Sequence, residues 1–310
     1  MKAQSVNQSS DPVLIAQLDK LKRHNRQGSY KTRKRYYEAM KRFCLFLAEE
    51  YHTQNLRNIS HKHIDAYVEY MQTSGKSAST VKTDLSAIRF WCDQLNMRHP
   101  LPSNDELAVP LKQRHSGQEN RAWSEDEVQQ MVAIARQSGH DDYALAILLA
   151  RHLGLRLHEC YRIDTAIAQQ AILAHAITIK GKGGKVRTVP IGDDVYPFLA
   201  AALQSQIANT RRGHKLLVPD DVPTDIAMQR LEQFILANRS LVKDADSARP
   251  MTYHGLRHTY ASEQYQQLVA SGASKLEARL KVSHLLGHNR PEVANTYLAS
   301  VRHTNKKEVD

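Results

Sequence analysis

The sequence predicts a mainly α-helical protein, with an N-terminal helical bundle and a C-terminal α+β domain that contains one small antiparallel β-hairpin. Most segments of the 310-residue chain repeat their apolar residues at helical spacing. A proline-containing stretch, residues 99–120, lacks this periodicity and indicates a boundary. Residues 177–191 alternate apolar and polar side chains around a glycine-rich turn, which is typical of a hairpin. The length fits two domains of ordinary size.

Four helices are predicted in the N-terminal part. Their apolar residues recur every three or four positions, so each helix has one face for a shared core. Polar residues 1–11 are expected to be disordered, residues 12–100 to form the helical domain, and residues 101–120 to form a flexible interdomain linker. The predicted helices run from Pro12 to His24, from after Ser29 to about Tyr51, from the N-cap Ser60 to near Gly75, and onward from near Ser79.

A second domain is predicted over residues 121–310. It opens with a helix whose capping box pairs Ser124 with Glu127. The hairpin at residues 177–191 carries the basic, glycine-rich sequence GKGG at its tip. Further helices are predicted at 192–208, 224–240, 254–270, 274–286 and 291–300.

The charge of the chain predicts a polyanionic partner. The formal net charge is +11, which favours nucleic acid first and an acidic membrane surface second. Between Lys20 and Arg42 there are ten lysines and arginines and one acidic residue, Glu38. This run is either a solvated helix face or a helix that lies along DNA phosphates, and the scarcity of acids favours DNA. The candidate DNA-binding residues are Lys31, Arg33, Lys34, Arg35, Lys41 and Arg42.

Several sequence patterns bear on the cellular compartment of the protein. No apolar run approaches the roughly 20 residues that a membrane span needs, and the N-terminal sequence lacks the apolar stretch of a signal peptide. Cys44, Cys92 and Cys160 are far apart and form no C-x-x-C pair, so neither a disulfide framework nor a zinc knuckle is indicated. A soluble, cytoplasmic protein is therefore expected.

The segment HGLRH, residues 254–258, gathers three cation-forming side chains within one helical turn. A metal site, a phosphate site and an ordinary polar helix start all fit this spacing. Zinc hydrolases use H-E-x-x-H, but Gly255 occupies the position of the glutamate and Arg257 would place a fixed charge beside the metal. Phosphate binding is favoured over a metal.

Other candidate residues are individually unremarkable. Arg156 follows an apolar helix in GLRLHE, Lys182 lies in GKGGK, His288 follows Gly287, and Tyr297 comes nine residues later. Each has an ordinary structural interpretation, such as a snorkelling arginine or a packed aromatic. Neither GKS at residues 75–77 nor GKGGK at residues 181–185 has the spacing of a nucleotide-binding P-loop.

The order of these motifs carries more information than any one of them. GLRxxE, a lysine in a GKGxK hairpin, H-x-x-R-H, LGH and a tyrosine nine residues later resemble the tyrosine recombinase (phage integrase) family. The resemblance covers the second domain, and it implies that the first is a SAM-like core-binding domain. It also implies roles: catalytic arginines at Arg156 and Arg257, a hairpin lysine at Lys182, histidines at His254 and His288, the nucleophile at Tyr297, and a supporting acid at Glu159. His258 is expected to pack rather than react.

The resemblance implies DNA cleavage and rejoining through a 3′-phosphotyrosine. In this chemistry His254 accepts or positions a proton, Lys182 protonates the leaving 5′-oxygen, and no metal or ATP is required. The expected partner is double-stranded DNA at the nucleoid, bound as a homo-tetramer in the synapse by a protein that is a monomer or dimer when free. A type IB topoisomerase and a DNA-binding architectural protein are the alternatives. Integration, excision, dimer resolution and cassette exchange all use this chemistry.

Overall fold

The hydrophobic residues form separate cores in two units of the chain, Met1–His115 and Ser116–Asp310. The structure is a computed structural model that describes residues 11–95, 97, 100–113, 120–181, 184–208, 215–219, 221–243, 249–288, 290–298 and 301, with the backbone alone at 11, 12, 206–208 and 293. Of residues 1–11, which were expected to be disordered, residues 1–10 lie outside this description and Asp11 begins the first helix. The mainly helical fold with a single described hairpin confirms the predicted fold class.

The N-terminal unit contains the four predicted helices. Ser29 caps the second, where its side chain accepts the Thr32 N–H. The fourth begins earlier than predicted, because Ser77 and not Ser79 accepts the Thr80 N–H and is the N-cap. A short 3₁₀ turn, Leu56–Asn58, precedes the third helix. The helices are α1 (Asp11–His24), α2 (Tyr30–Tyr51), α3 (His61–Thr73) and α4 (Ala78–Cys92).

The stretch predicted to be a flexible linker packs on the N-terminal unit over its first half. Leu101, Leu107, Val109 and Leu111 are partly buried against the core of that unit. Main-chain N–H groups in the same stretch donate to side chains of α3, as the Ala108 N–H does to Asp65 over 3.0 Å. The prediction of a flexible linker is therefore wrong for residues 101–112, because the apolar side chains and backbone N–H groups of this segment have partners in the N-terminal unit.

Arg42, a predicted DNA-binding residue, is engaged within the N-terminal unit. Its guanidinium donates to both carboxylate oxygens of Asp84 at 2.8 and 2.9 Å, and the Tyr67 hydroxyl lies 3.4 Å from the same carboxylate. The Asp84 side chain is 1% exposed, whereas that of Arg42 is 49% exposed. This pair links α2 to α4, so the main partner of Arg42 is a buried carboxylate and the DNA-binding assignment needs correction.

The C-terminal unit combines helices with the predicted hairpin. The two strands pair antiparallel with Ile179 opposite Arg187. The capping box of Ser124 and Glu127 is present. The elements are α5 (Glu125–Gln137), α6 (Asp141–Leu153), α7 (Leu157–Cys160), α8 (Thr165–Ala174), β1 (Ala176–Lys180), β2 (Val186–Pro190), α9 (Tyr196–Ala208), α10 (Thr224–Val242), α11 (Tyr253–Ala270), α12 (Lys275–Leu285) and α13 (Pro291–Ala294).

Helix α6 lies at the centre of the C-terminal unit and is buried along most of its length. Near its end, Arg151 is held by Glu125 of α5 and by both carboxylate oxygens of Glu263 on α11, at distances of 2.6 to 3.2 Å. The hydroxyl of Tyr253 on α11 donates to the Ala146 carbonyl at 2.9 Å. These contacts fix α6 against α11, so the turn after α6 lies beside the start of α11.

No helix in the described part of the chain is long and apolar enough to cross a membrane.

Replacement of Asp84 by asparagine should destabilise the N-terminal unit. The change removes the negative charge that pairs with Arg42 and leaves a buried polar group with fewer partners. Because Arg42 is half exposed, we expect a loss of about 1–3 kcal/mol in the free energy of unfolding, measured by urea denaturation. Asp105→Asn, at an exposed site, is the control and should change it by less than about 0.5 kcal/mol. Equal stability of the two variants would contradict a stabilising role of the Arg42–Asp84 pair.

Candidate active site

The HGLRH segment forms the first turns of α11, with Thr252 as its N-cap residue. The chain from Arg121 to Trp123 crosses this turn so closely that a Cβ added at Gly255 would lie 2.6 Å from the Trp123 indole nitrogen. Trp123 donates from its indole to the Thr252 carbonyl at 3.0 Å and from its backbone to the Thr259 hydroxyl at 2.8 Å. The start of the C-terminal unit therefore holds α11 in place, and Gly255 permits the contact.

Arg257 is 1% exposed and joins two turns of the chain. Its guanidinium donates to the carbonyl of Gly154, which ends α6, and to the carbonyl of Leu286, which follows α12. Burial lowers the pKa of Arg257 to about 10, with Tyr297 opposing this effect, so the group keeps its charge at neutral pH. Arg257 thus provides a fixed cation beneath the turns that carry Arg156 and His288.

Arg156 is the N-cap residue of the short helix α7, and Glu159 is the third residue of that helix. The Glu159 carboxylate is fully buried and accepts the Arg156 backbone N–H at 2.8 Å and the Arg156 Nη1 at 2.9 Å. Burial raises the pKa of Glu159, but hydrogen bonds from Arg187 and the Arg156 backbone and the charges of both arginines outweigh it and lower the pKa to about 2. Glu159 is therefore an anion that orients Arg156.

Arg187 is a site residue that the sequence analysis missed. It lies on β2, and its guanidinium faces Glu159 with Nη1 3.0 Å from Oε1 and Nη2 2.7 Å from Oε2. The signal was present in the strand alternation, which places Arg187 on the same face as the buried Val189. An inward-facing arginine needs buried acceptors, and the Glu159 carboxylate provides them.

His288 follows α12 and contacts the first arginine. Its Nε2 lies 2.9 Å from Nη2 of Arg156. Because a guanidinium only donates, Nε2 is the acceptor and the imidazole proton lies on Nδ1. Burial, together with the charges of Arg156 and Arg257, lowers the pKa of His288 to about 4. This histidine is therefore neutral at pH 7.

Tyr297 lies in a small apolar cluster, and its ring packs near Arg257 and three histidines. Its ring centroid is 5.5 Å from Cζ of Arg257 and 5.5, 4.8 and 6.2 Å from the ring centroids of His254, His258 and His288. Placing Tyr297 on a helix was wrong, because α13 ends at Ala294 and Tyr297 follows in a turn in which its N–H donates to the Ala294 carbonyl. Its own carbonyl accepts the Ser262 hydroxyl at 3.3 Å, which fixes the turn against α11.

His254 and His258 are both held in the neutral state. Burial of its ring and then the charges of Arg257 and Arg156 lower the pKa of His254 to about 4, although this side chain lies at the exposed edge of the site. His258 is 3% exposed, and burial with the nearby His254 lowers its pKa to about 3. Of the two, His254 is the one that a substrate can reach.

Lys182 lies outside the described residues, and its hairpin is described only up to Gly181 and again from Gly184. Beside the hairpin, a cavity of about 300 Å³ is lined by Lys185, Arg187, His284 and His288. A larger cavity of about 550 Å³ lies at the opposite end of α6, and no predicted site residue lines it. Within the described ranges, no group of three histidine, cysteine or acidic side chains is arranged to hold a metal ion.

The depressed histidine pKa values predict a pH dependence of stability. An imidazole in the unfolded chain titrates near pH ~6.5. Between that pH and about 4 the unfolded state binds more protons, so the free energy of unfolding falls as the pH falls. Since the pKa of the buried His258 is about 3, His258→Gln should reduce this slope by up to about 1.4 kcal/mol per pH unit.

Urea unfolding between pH 6 and 5 measures this slope. Trp91 and Trp123 are the only tryptophans, one in each unit, so Trp123 fluorescence in a Trp91→Phe background reports the C-terminal unit. His284→Gln, at an exposed position on α12, should leave the slope unchanged. The same slope with and without His258 would show that the histidine is not held neutral.

Family models, sequence relatives and solved structures all match this chain to the same group of proteins. Residues 121–303 match the phage integrase family, and residues 14–98 match the N-terminal SAM-like domain of phage integrases. A tyrosine recombinase XerC from Natranaerobius thermophilus is 26% identical over 275 residues, covering 84% of this chain and 85% of the relative.

Two crystal structures of lambda integrase share the fold. One is a dimer bound to a COC′ core site, with a TM-score of 0.64, 17% identity, and coverage of 91% of this chain and 94% of that one. The other is a tetramer bound to a Holliday junction, with a TM-score of 0.62, 17% identity, and coverage of 91% and 80%. Because the family match spans more than half of the chain, the chain belongs to the phage integrase family and is a tyrosine recombinase, an enzyme of site-specific DNA recombination.

Proposed function

We propose that this recombinase cleaves DNA with Tyr297 as its nucleophile, in a site formed by one chain. The observation that carries the proposal is the packing of the Tyr297 ring against Arg257 and three neutral histidines. In the proposed reaction the tyrosine oxygen attacks the scissile phosphorus, the bond to the 5′-oxygen breaks, and a 3′-phosphotyrosine forms. A 5′-hydroxyl of a second strand then attacks the phosphotyrosine and releases the enzyme.

Arg156 and Arg257 are the proposed phosphate ligands. Negative charge accumulates on the nonbridging oxygens as the phosphorus becomes five-coordinate, and guanidinium groups stabilise it because they remain charged and donate in a planar fork. Burial of Arg257 and partial burial of Arg156 reduce solvent screening of both charges. Such preorganised donors each contribute about 10²–10³ in rate in comparable sites.

The proton transfers are assigned to His254 and Lys182. A tyrosine hydroxyl has an ordinary pKa of about 10 and must lose its proton during attack. His254 is suited to accept it, because its lowered pKa keeps the ring neutral and its edge is accessible. The leaving 5′-oxygen needs a proton, for which Lys182 is the proposed donor. His288 is the proposed donor to a nonbridging oxygen, and in the tautomer deduced above its available N–H is on Nδ1.

The covalent intermediate explains why the proposed reaction needs no external energy source. The phosphotyrosine retains the free energy of the phosphodiester that was cleaved, so rejoining requires only a 5′-hydroxyl. Charge stabilisation comes from arginines, so a metal is not part of the proposed mechanism.

Helix α2 is the proposed DNA-binding element of the N-terminal unit. Lys31, Lys34 and Arg35 are exposed, Arg33 and Lys41 are half-buried, and none of these five forms an ion pair with a described carboxylate. Unlike Arg42, they can therefore exchange counterions for DNA phosphates.

Recombination joins four strand ends, which favours a homo-tetramer on the synapse formed from monomers or dimers in solution. The fold shared with an integrase tetramer on a Holliday junction supports this assembly. We expect the protein to act in the cytoplasm, at the nucleoid.

Tyr297→Phe should abolish the covalent adduct while leaving DNA affinity unchanged, because only the attacking hydroxyl is removed. The measurement is a suicide substrate that traps the phosphotyrosine, resolved by denaturing electrophoresis. Tyr265→Phe on α11 is the matched control and should trap DNA at the wild-type rate. The adduct should also form in EDTA. An adduct formed by the Tyr297 variant, or a strict metal requirement, would contradict the mechanism.

Neutral substitutions on α2 should flatten the salt dependence of DNA binding. Lys31→Gln, Lys34→Gln and Arg35→Gln should each reduce the slope of log affinity against log salt concentration by about 0.9, since each removes one phosphate contact. The slope is measured by fluorescence anisotropy with a labelled duplex. Lys34→Arg is the control and should leave the slope unchanged, because it keeps the positive charge of that phosphate contact. Unchanged slopes for the first three variants would make this helix face ordinary solvated surface.

A further inference from the structure

Arg187 and Arg156 share one buried carboxylate. Each guanidinium donates to Glu159 over 2.7 to 3.0 Å, and the Arg156 backbone N–H completes a set of four hydrogen bonds. The Glu159 side chain is fully buried, and that of Arg187 is 8% exposed. The fork-to-fork geometry of Arg187 uses both carboxylate oxygens, whereas Arg156 uses one side-chain donor and keeps its Nη2 turned toward His288.

The sharing of Glu159 determines the net charge that a DNA phosphate would meet at Arg156. Arg156 and Glu159 by themselves would form a neutral pair, and the carboxylate would repel a DNA phosphate at short range. Arg187 adds a second positive charge on the other side of the carboxylate, so the three groups together are cationic. Since the carboxylate is shielded from solvent, water cannot perform the same compensation.

Arg187 also contacts the backbone that precedes His288. Gly287 has φ +72°, and a Cβ there would lie 3.1 Å from Nη1 and 3.4 Å from Cδ of Arg187. A Cβ at Gly181 would lie 3.4 Å from the same Nη1 and 3.0 Å from Glu159. The guanidinium therefore lies close to two glycines, one of which directly precedes His288 in the sequence and the other Lys182.

We propose that Arg187 is a positioning residue that compensates the charge of Glu159, so that Arg156 remains oriented and electrostatically free to bind the scissile phosphate. It acts through Glu159 and Gly287 and does not itself contact the phosphate. This inference rests on the proposed function, because it assumes that Arg156 is a phosphate ligand.

Single-turnover cleavage of a suicide substrate at saturating DNA tests the proposal. Arg187→Gln should slow cleavage by about 10-fold or more, less than the loss of a direct phosphate ligand, with little change in DNA affinity. In the double variant Arg187→Gln/Glu159→Gln the uncompensated carboxylate is also removed, so cleavage should recover at least threefold over Arg187→Gln alone. Recovery of less than threefold, or a further loss, would overturn the proposal, since a direct phosphate contact of Arg187 predicts no recovery.

Arg151 provides a matched control for folding. It is a similarly buried arginine that pairs fork-to-fork with a carboxylate, that of Glu263, and its described hydrogen bonds go to Glu125 and Glu263 and to none of the proposed site residues. Arg151→Gln should lower the thermal midpoint without slowing cleavage at a temperature where the protein is folded. If Arg187→Gln lacks a cooperative thermal transition, Arg187→Lys decides. It keeps the charge that compensates Glu159 but loses the fork, so cleavage within threefold of the wild-type rate supports the proposal and a greater loss overturns it.

The Tyr297→Phe variant separates this inference from the proposed function. If that variant still traps DNA, the assignment of the nucleophile has failed, whatever the Arg187 variants do. If it traps none while Arg187→Gln cleaves at the wild-type rate, the proposed function stands and the role of Arg187 is refuted.

Discussion

The site depends on the burial of Arg257. An ion inside a protein costs free energy unless hydrogen bonds replace its hydration, and here the carbonyls of Gly154 and Leu286 provide them. Those carbonyls end one helix and follow another, so a single side chain fixes the spacing between the turn that carries Arg156 and the turn that carries His288. The Arg257 Nε has no partner among the described residues. The arginine therefore links the turns structurally before any substrate is present.

The protonation of the histidines follows from the same burial. Partial removal from water, with arginines nearby, keeps His254, His258 and His288 in the neutral form at neutral pH. A neutral imidazole can accept a proton from a tyrosine hydroxyl, whereas an imidazolium cannot. The groups that stabilise phosphate charge thus also keep the neighbouring histidine in its neutral form.

Local features of this protein could be predicted from sequence, whereas its long-range pairings could not. Helix periodicity, the Ser124–Glu127 capping box and the hairpin depend on neighbours in the chain, and the structure contains them. The buried pairs of Arg42 with Asp84 and Arg187 with Glu159 join residues 42 and 28 positions apart, and composition had assigned Arg42 to DNA and given Arg187 no role. The segment from Pro291 had helical spacing, but the packing of Tyr297 under α11 ends the helix early.

The site motifs contain residues of two kinds: ionisable residues that serve the chemistry and glycines that serve the backbone geometry. His254, Arg257 and His288 are present for the chemistry of their side chains. Gly255 and Gly287 are present for the sake of the backbone: the Trp123 indole and the Arg121 carbonyl occupy the space of a Cβ at Gly255, and Gly287 has the left-handed φ of +72°. A Cβ at Gly255 would displace the segment that holds the start of α11, and a side chain at Gly287 would strain the turn that leads into His288. The two glycines therefore belong to the geometry of the site as the ionisable residues belong to its chemistry.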